Sequence, residues 1–279
     1  MPIHDQSYRH YTGQRSPKGR AWTVIANAGV RNMLGKKAFL GLLILAWLPF
    51  VVRSVQLYLS ANFPQMSIIS PSAQLFRDFL EQQGAFVFFI TIFTGAGLVA
   101  NDMRANALQI YLAKPLDRLE YIAGKFAVVA FFLLLTTWLP AMMLVLMQIV
   151  FAGNLTFISA NFYVLPAICV YTGIETIVLG LIMLALSSLS KSARFVGIMY
   201  AGIILFTQAL YGVVVAVTRN SGFSWMSPSS NLILIGDLIF RLPGRYQASG
   251  LVTTIALLVT IGLAALVLDR RVRGVEVVT

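Results

Sequence analysis

The residues of this chain able to do chemistry are few and unevenly spaced. Most fall in 101–125, NDMRANALQIYLAKPLDRLEYIAGK, which places Asp102, Gln109, Asp117, Arg118, Tyr121 and Lys125 between two long apolar stretches. Leu108, Leu112, Leu116, Leu119 and Ala123 recur there at helical intervals, opposite Asp102, Asn106, Gln109, Asp117 and Glu120, so the spacing predicts an amphipathic helical pair. Pro115 has no N–H to donate and a preset φ, which suits the first turn of the second helix, and Asp117 falls near that helix's positive end. A polar face of this kind suits recognition of a soluble protein; the plainer role is a solvated loop helix.

Arg53 and Glu175 are the other candidates, because each lies inside an apolar stretch where a charge is expensive. At about 1.5 Å per residue both fall roughly 21 to 23 Å from the same membrane face, so the two are candidates for an intramembrane ion pair. Snorkelling of Arg53 to headgroups and protonation of Glu175 against a neighbouring hydroxyl are the alternatives.

What is missing argues against catalysis. Both histidines, His4 and His10, lie in the polar first 20 residues, so no His base or His metal ligand serves the apolar stretches. The run 29–37, GVRNMLGKK, has five residues between its glycines and no hydroxyl after Lys36, so it is no phosphate-cradling loop. Cys169 has no second cysteine to pair with. The chain is expected to be no enzyme and to hold no metal or cofactor of its own.

Membrane helices must position these residues. Of 279 residues, 58% are hydrophobic and 11% charged, against roughly 25% charged in a soluble domain; an ordinary soluble domain and a disordered chain are both excluded. Six stretches, 38–59, 84–100, 126–152, 162–189, 195–218 and 249–268, reach or approach the length of a helical span, roughly 20 residues. The segments on one side carry 16 of the 21 Lys and Arg, which puts both termini in the cytoplasm and gives the net charge of +11 a topological meaning.

The first 20 residues read as a disordered cytoplasmic arm, and 21–279 as a single transmembrane domain. From Ala21, Trp22, Ile25, Gly29 and Met33 recur at helical spacing beside Arg31, Lys36 and Lys37. This predicts an amphipathic helix on the inner leaflet or, alternatively, a cytoplasmic extension of the first span. Ser229, Ser230 and Asn231 ahead of the apolar run 232–240, with Pro243 and Gly244 behind it, predict a short helix at the outer leaflet. Thr94, Gly95, Ala96 and Gly97 in the second span are small enough for close helix packing.

The segment 101–125 resembles the signature of ABC-2 type transporter permeases, approximately E-D-x-x-x-G-T-L-x-x-L-L-x-x-P-[IL]-x-R-x-x-[YI]-[LI]-x-[GA]-K. Asp102, Leu108, Leu112, Pro115, Leu116, Arg118, Tyr121, Gly124 and Lys125 match it; Asn101 stands where Glu is usual, and Asn106 and Ala107 stand for Gly-Thr. Trp225-Met226-Ser227-Pro228 before an outer helix also resembles the family plan. The resemblance implies an all-α membrane protein of six transmembrane helices, with an N-terminal interfacial amphipathic helix and a cytoplasmic coupling helix between spans two and three. It implies a permease subunit of an exporter in the bacterial inner membrane, paired with a second copy or a homologous permease. Asp102, Gln109, Pro115, Asp117, Arg118, Tyr121 and Lys125 would then couple it to two copies of an ABC ATP-binding subunit, which keeps ATP and Mg to itself. A membrane-embedded scaffold that docks cytosolic partners without transport is the alternative. Membrane lipids are the remaining expected contact; nucleic acid is not expected.

Overall fold

The computed structural model describes residues 21–63, 72–107 and 117–272, which are helical with no strand among them. Six helices are long and apolar enough to cross a membrane: Lys37–Asn62, Ala73–Arg104, Arg118–Ala152, Val164–Ser187, Ala193–Thr218 and Gly250–Arg271. The chain is therefore a multi-pass membrane protein. All six expected stretches are found, but the second begins at Ala73 rather than at 84. Its first turns interrupt the apolar run because they carry Gln74, Arg77, Asp78, Glu81 and Gln83; in the fold, Arg77 and Gln83 are buried along with Leu75, Phe76, Phe79 and Leu80.

In chain order, α1 is Ala21–Leu34, α2 Lys37–Ala46, α3 Leu48–Asn62, α4 Ala73–Gly95 and α5 Ala100–Arg104. They are followed by α6 (Arg118–Thr136), α7 (Trp138–Ala152), the short α8 (Thr156–Ala160), α9 (Val164–Ser187) and α10 (Ala193–Thr218). A 3-10 turn, Ser221–Met226, leads into α11 (Pro228–Ile239), and α12 (Gly250–Arg271) closes the fold. The first and third spans are each broken once, at Trp47 and Thr137. Pro49 and Pro140, placed just after these breaks, lack the N–H that would continue the ladder.

Spans two, three and four form the centre, with 56%, 56% and 61% of their apolar windows buried, whereas spans five and six bury only 11% and 22%. Val87, Ile90, Val128, Val129, Phe132, Val178 and Met183 fill the space between the central helices. Lipid is as apolar as these side chains, so close packing rather than exclusion of water holds them together.

The helix α1 is not an extension of the first span. The chain turns at Gly35 and Lys36, and α1 lies along α6. The crossing needs glycine on both sides: a Cβ on Gly124 would meet Ile25 Cβ at 2.8 Å, and one on Gly29 would meet Val128 Cγ2. The short helix expected over 232–240 starts earlier, at Pro228, because Ser227 rather than Ser229 or Ser230 caps it by accepting from the Ser230 N–H.

Candidate functional site

The segment between spans two and three is positioned by a deliberate break in span two. Its ladder is interrupted over 96–99, and the freed backbone groups are taken up by one side chain from α9. Ser187 Oγ accepts from Val99 N and Ala100 N, both at 3.1 Å, and donates to Ala96 O at 2.9 Å. A hydroxyl has one hydrogen and two lone pairs, so Ser187 is fully used. The break restarts the helix as α5 and carries Asp102 toward α6.

There Asp102 Oδ2 lies 2.6 Å from Lys125 Nζ and accepts a 2.7 Å hydrogen bond from the Tyr121 hydroxyl. Lys125 Nζ also stands 5.4 Å from the centroid of the Tyr121 ring. Tyr121 is buried, and the two charged side chains are only 13% and 18% exposed. Three of the residues singled out in sequence thus converge. Asp102, however, faces inward and is held by its own chain, so it is a clasp between α5 and α6 rather than part of an open face.

Asp117 and Arg118 behave differently. Asp117 occupies the N-cap of α6 with extended backbone, Arg118 is its first residue, and both are exposed with no ion pair or side-chain hydrogen bond among the described residues. Gln109 and Pro115, like Leu108, Leu112 and Leu116, lie outside the described residues. At the other edge of that gap Asn106 is left-handed, with φ +53°. Asn tolerates this conformation better than most residues. Beside the clasp, α1, span two, α6 and the start of α10 enclose a cleft of about 540 Å³, whose charged lining residues are Lys36, Lys125, Arg194 and Asp102.

The opposite end of span two carries a charge network that the sequence does not reveal. Arg77, fully buried, donates through Nη2 to Ile233 O at 3.0 Å, and its guanidinium carbon stands 5.0 Å from the Tyr171 ring centroid. Its Nε lies 3.2 Å from Asp237 Oδ1, and its Nη1 3.7 Å from Glu81 Oε2, as charge contacts rather than aligned hydrogen bonds. Arg245 closes the group by donating to both oxygens of Asp237, at 3.0 and 2.8 Å, and to both oxygens of Glu81, at 3.0 and 2.6 Å. Hydrogen bonds to Asp237 and then to Glu81 hold the Arg245 guanidinium even more firmly protonated than usual. Gly236 makes room: a Cβ there would lie 2.5 Å from Arg77 Nε.

The candidate pair of Arg53 and Glu175 does not form. Arg53 Nη1 donates to Gln56 Oε1 at 3.2 Å, one turn along its own helix, and no ion pair joins it to Glu175. Equal depth placed the two at one level but said nothing of which helix faces which. Span four packs against α12, α6 and α4 and makes little contact with α3, which carries Arg53 and packs mainly on α7. Among the described residues no group of three or more His, Cys, Asp or Glu side chains is arranged to hold a metal.

No family model matches the chain, and no curated protein matches it.

Proposed function

We propose that the chain is the transmembrane permease subunit of an ATP-driven ABC-2 type exporter in a bacterial inner membrane. The observation that carries the reading is the clasp of Asp102, Tyr121 and Lys125. These are three of the positions at which 101–125 resembles the permease signature, and they give those residue types a mechanical reason. They tie the end of span two to the start of span three on either side of the intervening segment. A push on that segment from a soluble motor then reaches both central spans, and tilting them alters access to a path between permease copies.

In this reading both termini, α1 and the Lys125 end of the bundle are cytoplasmic, with α1 at the inner leaflet. Asp117 and Arg118, together with Gln109 and Pro115, meet the ATP-binding subunit, of which two copies serve a dimer of permeases. The exposed apolar faces of α10 and α12, including Ile198, Phe206, Val213, Leu258 and Leu263, contact lipid and the second permease. ATP and Mg stay with the partner.

The test is biochemical. The purified full chain should hydrolyse no ATP, and co-expression with the ATP-binding subunit encoded beside it should yield a stable, ATP-hydrolysing complex. Specific hydrolysis by the chain alone, or failure of every neighbouring ATP-binding subunit to associate, would overturn the reading.

A further inference from the structure

Glu175 is the one buried carboxylate left over once the charges around it are paired. Arg77 and Arg245 neutralise Glu81 and Asp237 in a closed group of two cations and two anions. Glu175 is only 5% exposed, and among the described residues it belongs to no ion pair and its Oε2 has no hydrogen-bond partner. A carboxylate in that state is costly unless something supplies a proton or a positive charge.

The room for such a group is present. Glu175 lines a cavity of about 220 Å³ between spans two, four and five and α11. Its other walls include Phe88, Tyr200, Leu179 and Leu232, with Tyr171, whose ring also meets Arg77. The rings of Phe88 and Tyr200 stand 5.6 Å apart, centroid to centroid. Glu81, the other carboxylate on the wall, is already held by Arg245 and Arg77.

Aromatic side chains beside one carboxylate, with apolar walls, suit a particular ligand chemistry. A hard metal ion wants about six oxygen ligands, and this cavity offers one free carboxylate. An alkylated ammonium asks for less: its charge is met by the carboxylate, its methyl groups are weakly hydrated, and aromatic rings attract it through their negative faces. We infer that the Glu175 cavity is a binding site for a monovalent organic cation of the alkylammonium type. The site stands on the cavity's own geometry and names a ligand whether or not the chain works as a permease.

The experiment is equilibrium binding of radiolabelled benzyltrimethylammonium to the full chain in phosphatidylcholine nanodiscs, without any ATP-binding subunit. Saturable binding is expected, with no displacement by neopentylbenzene, the neutral molecule of the same shape. Glu175→Gln should weaken binding by about thirtyfold or more, the loss that follows removal of one partner of a buried charge pair. Phe88→Leu should weaken it by about two- to fivefold through loss of one aromatic wall. Glu175→Gln also removes an unpaired buried charge, so it is expected to melt no lower than the wild type. Should it fail to fold, competition by the neutral isostere on the wild type and the Phe88→Leu variant read the same claim. Absence of saturable binding, equal affinity in folded Glu175→Gln, or equal displacement by neopentylbenzene overturns the site. None of these results bears on whether an ATP-binding subunit docks, so the two readings fail separately.

Discussion

The two ends of span two use charge in opposite ways. At the Arg77 end, two arginines and two carboxylates from α4, α11 and the loop after it close on one another. At the Lys125 end, a single carboxylate, Asp102, holds Lys125, while Lys36, Arg104, Arg118 and Arg194 have no acidic partner among the described residues. Charge that is closed on itself, with Arg77 and Asp237 buried, holds helices in register. Charge left open beside one clasp is free to meet something outside the chain. The comparison therefore separates residues whose loss should unfold the protein from residues whose loss should only change what it binds.

The largest effect is expected at the closed end. Asp237→Ala leaves Arg77 buried without its nearest counter-charge and should cost about 3–5 kcal/mol of stability, read as a lowered detergent melting temperature. Replacing Arg77 by Met and Asp237 by Leu together should cost less than Asp237→Ala alone, since no lone charge remains. Next comes Ser187→Ala, which strips partners from two N–H groups and one carbonyl at the break in span two; about 3 kcal/mol is expected, the lower end of about 1–3 for each of the three groups, because the turn can relax. Lys125→Met opens the clasp but leaves Tyr121 bonded to Asp102, so about 1–2 kcal/mol is expected by the same measurement; on the permease proposal, weaker coupling of ATP hydrolysis to transport accompanies it. The smallest is a null: Arg53 and Glu175 share no contact, so their single and double replacements should add within about 0.5 kcal/mol. A larger coupling energy would mean that the pair forms in the membrane.

The spans were legible in sequence because a run of about 20 apolar residues admits one backbone solution in lipid. The breaks within them were not. Ser187 lies some 90 residues from the carbonyl and N–H groups it satisfies, and nothing near 96–99 announces it. The roles of Arg77, Glu81 and Gln83 were hidden for the same reason: their partners Asp237 and Arg245, and the carbonyl of Ala46 that Gln83 bonds, are far away in the chain. A helical wheel gives depth and face but not the neighbouring helix, which is how Arg53 and Glu175 came to be matched. The Asp102 end was more open to sequence reading, because its residues lie within one 25-residue segment flanked by spans. Even there the pattern separated polar from apolar faces without telling that Asp102 and Lys125 turn to each other while Asp117 and Arg118 turn out.

The central claim is that the open charge at α6 meets the ATP-binding subunit, and Arg118 tests it most directly because it is exposed and has no ion pair or side-chain hydrogen bond among the described residues. The decisive measurement is the affinity of the neighbouring ATP-binding subunit for the full chain in nanodiscs, wild type against Arg118→Glu, with Arg271→Glu as a control at the C-terminal end of α12. The account predicts an unchanged melting temperature for both variants and a loss of affinity of about thirtyfold or more for Arg118→Glu alone. Equal affinity of wild type and Arg118→Glu, with coupled transport intact, would contradict it and leave 101–125 a solvated connector.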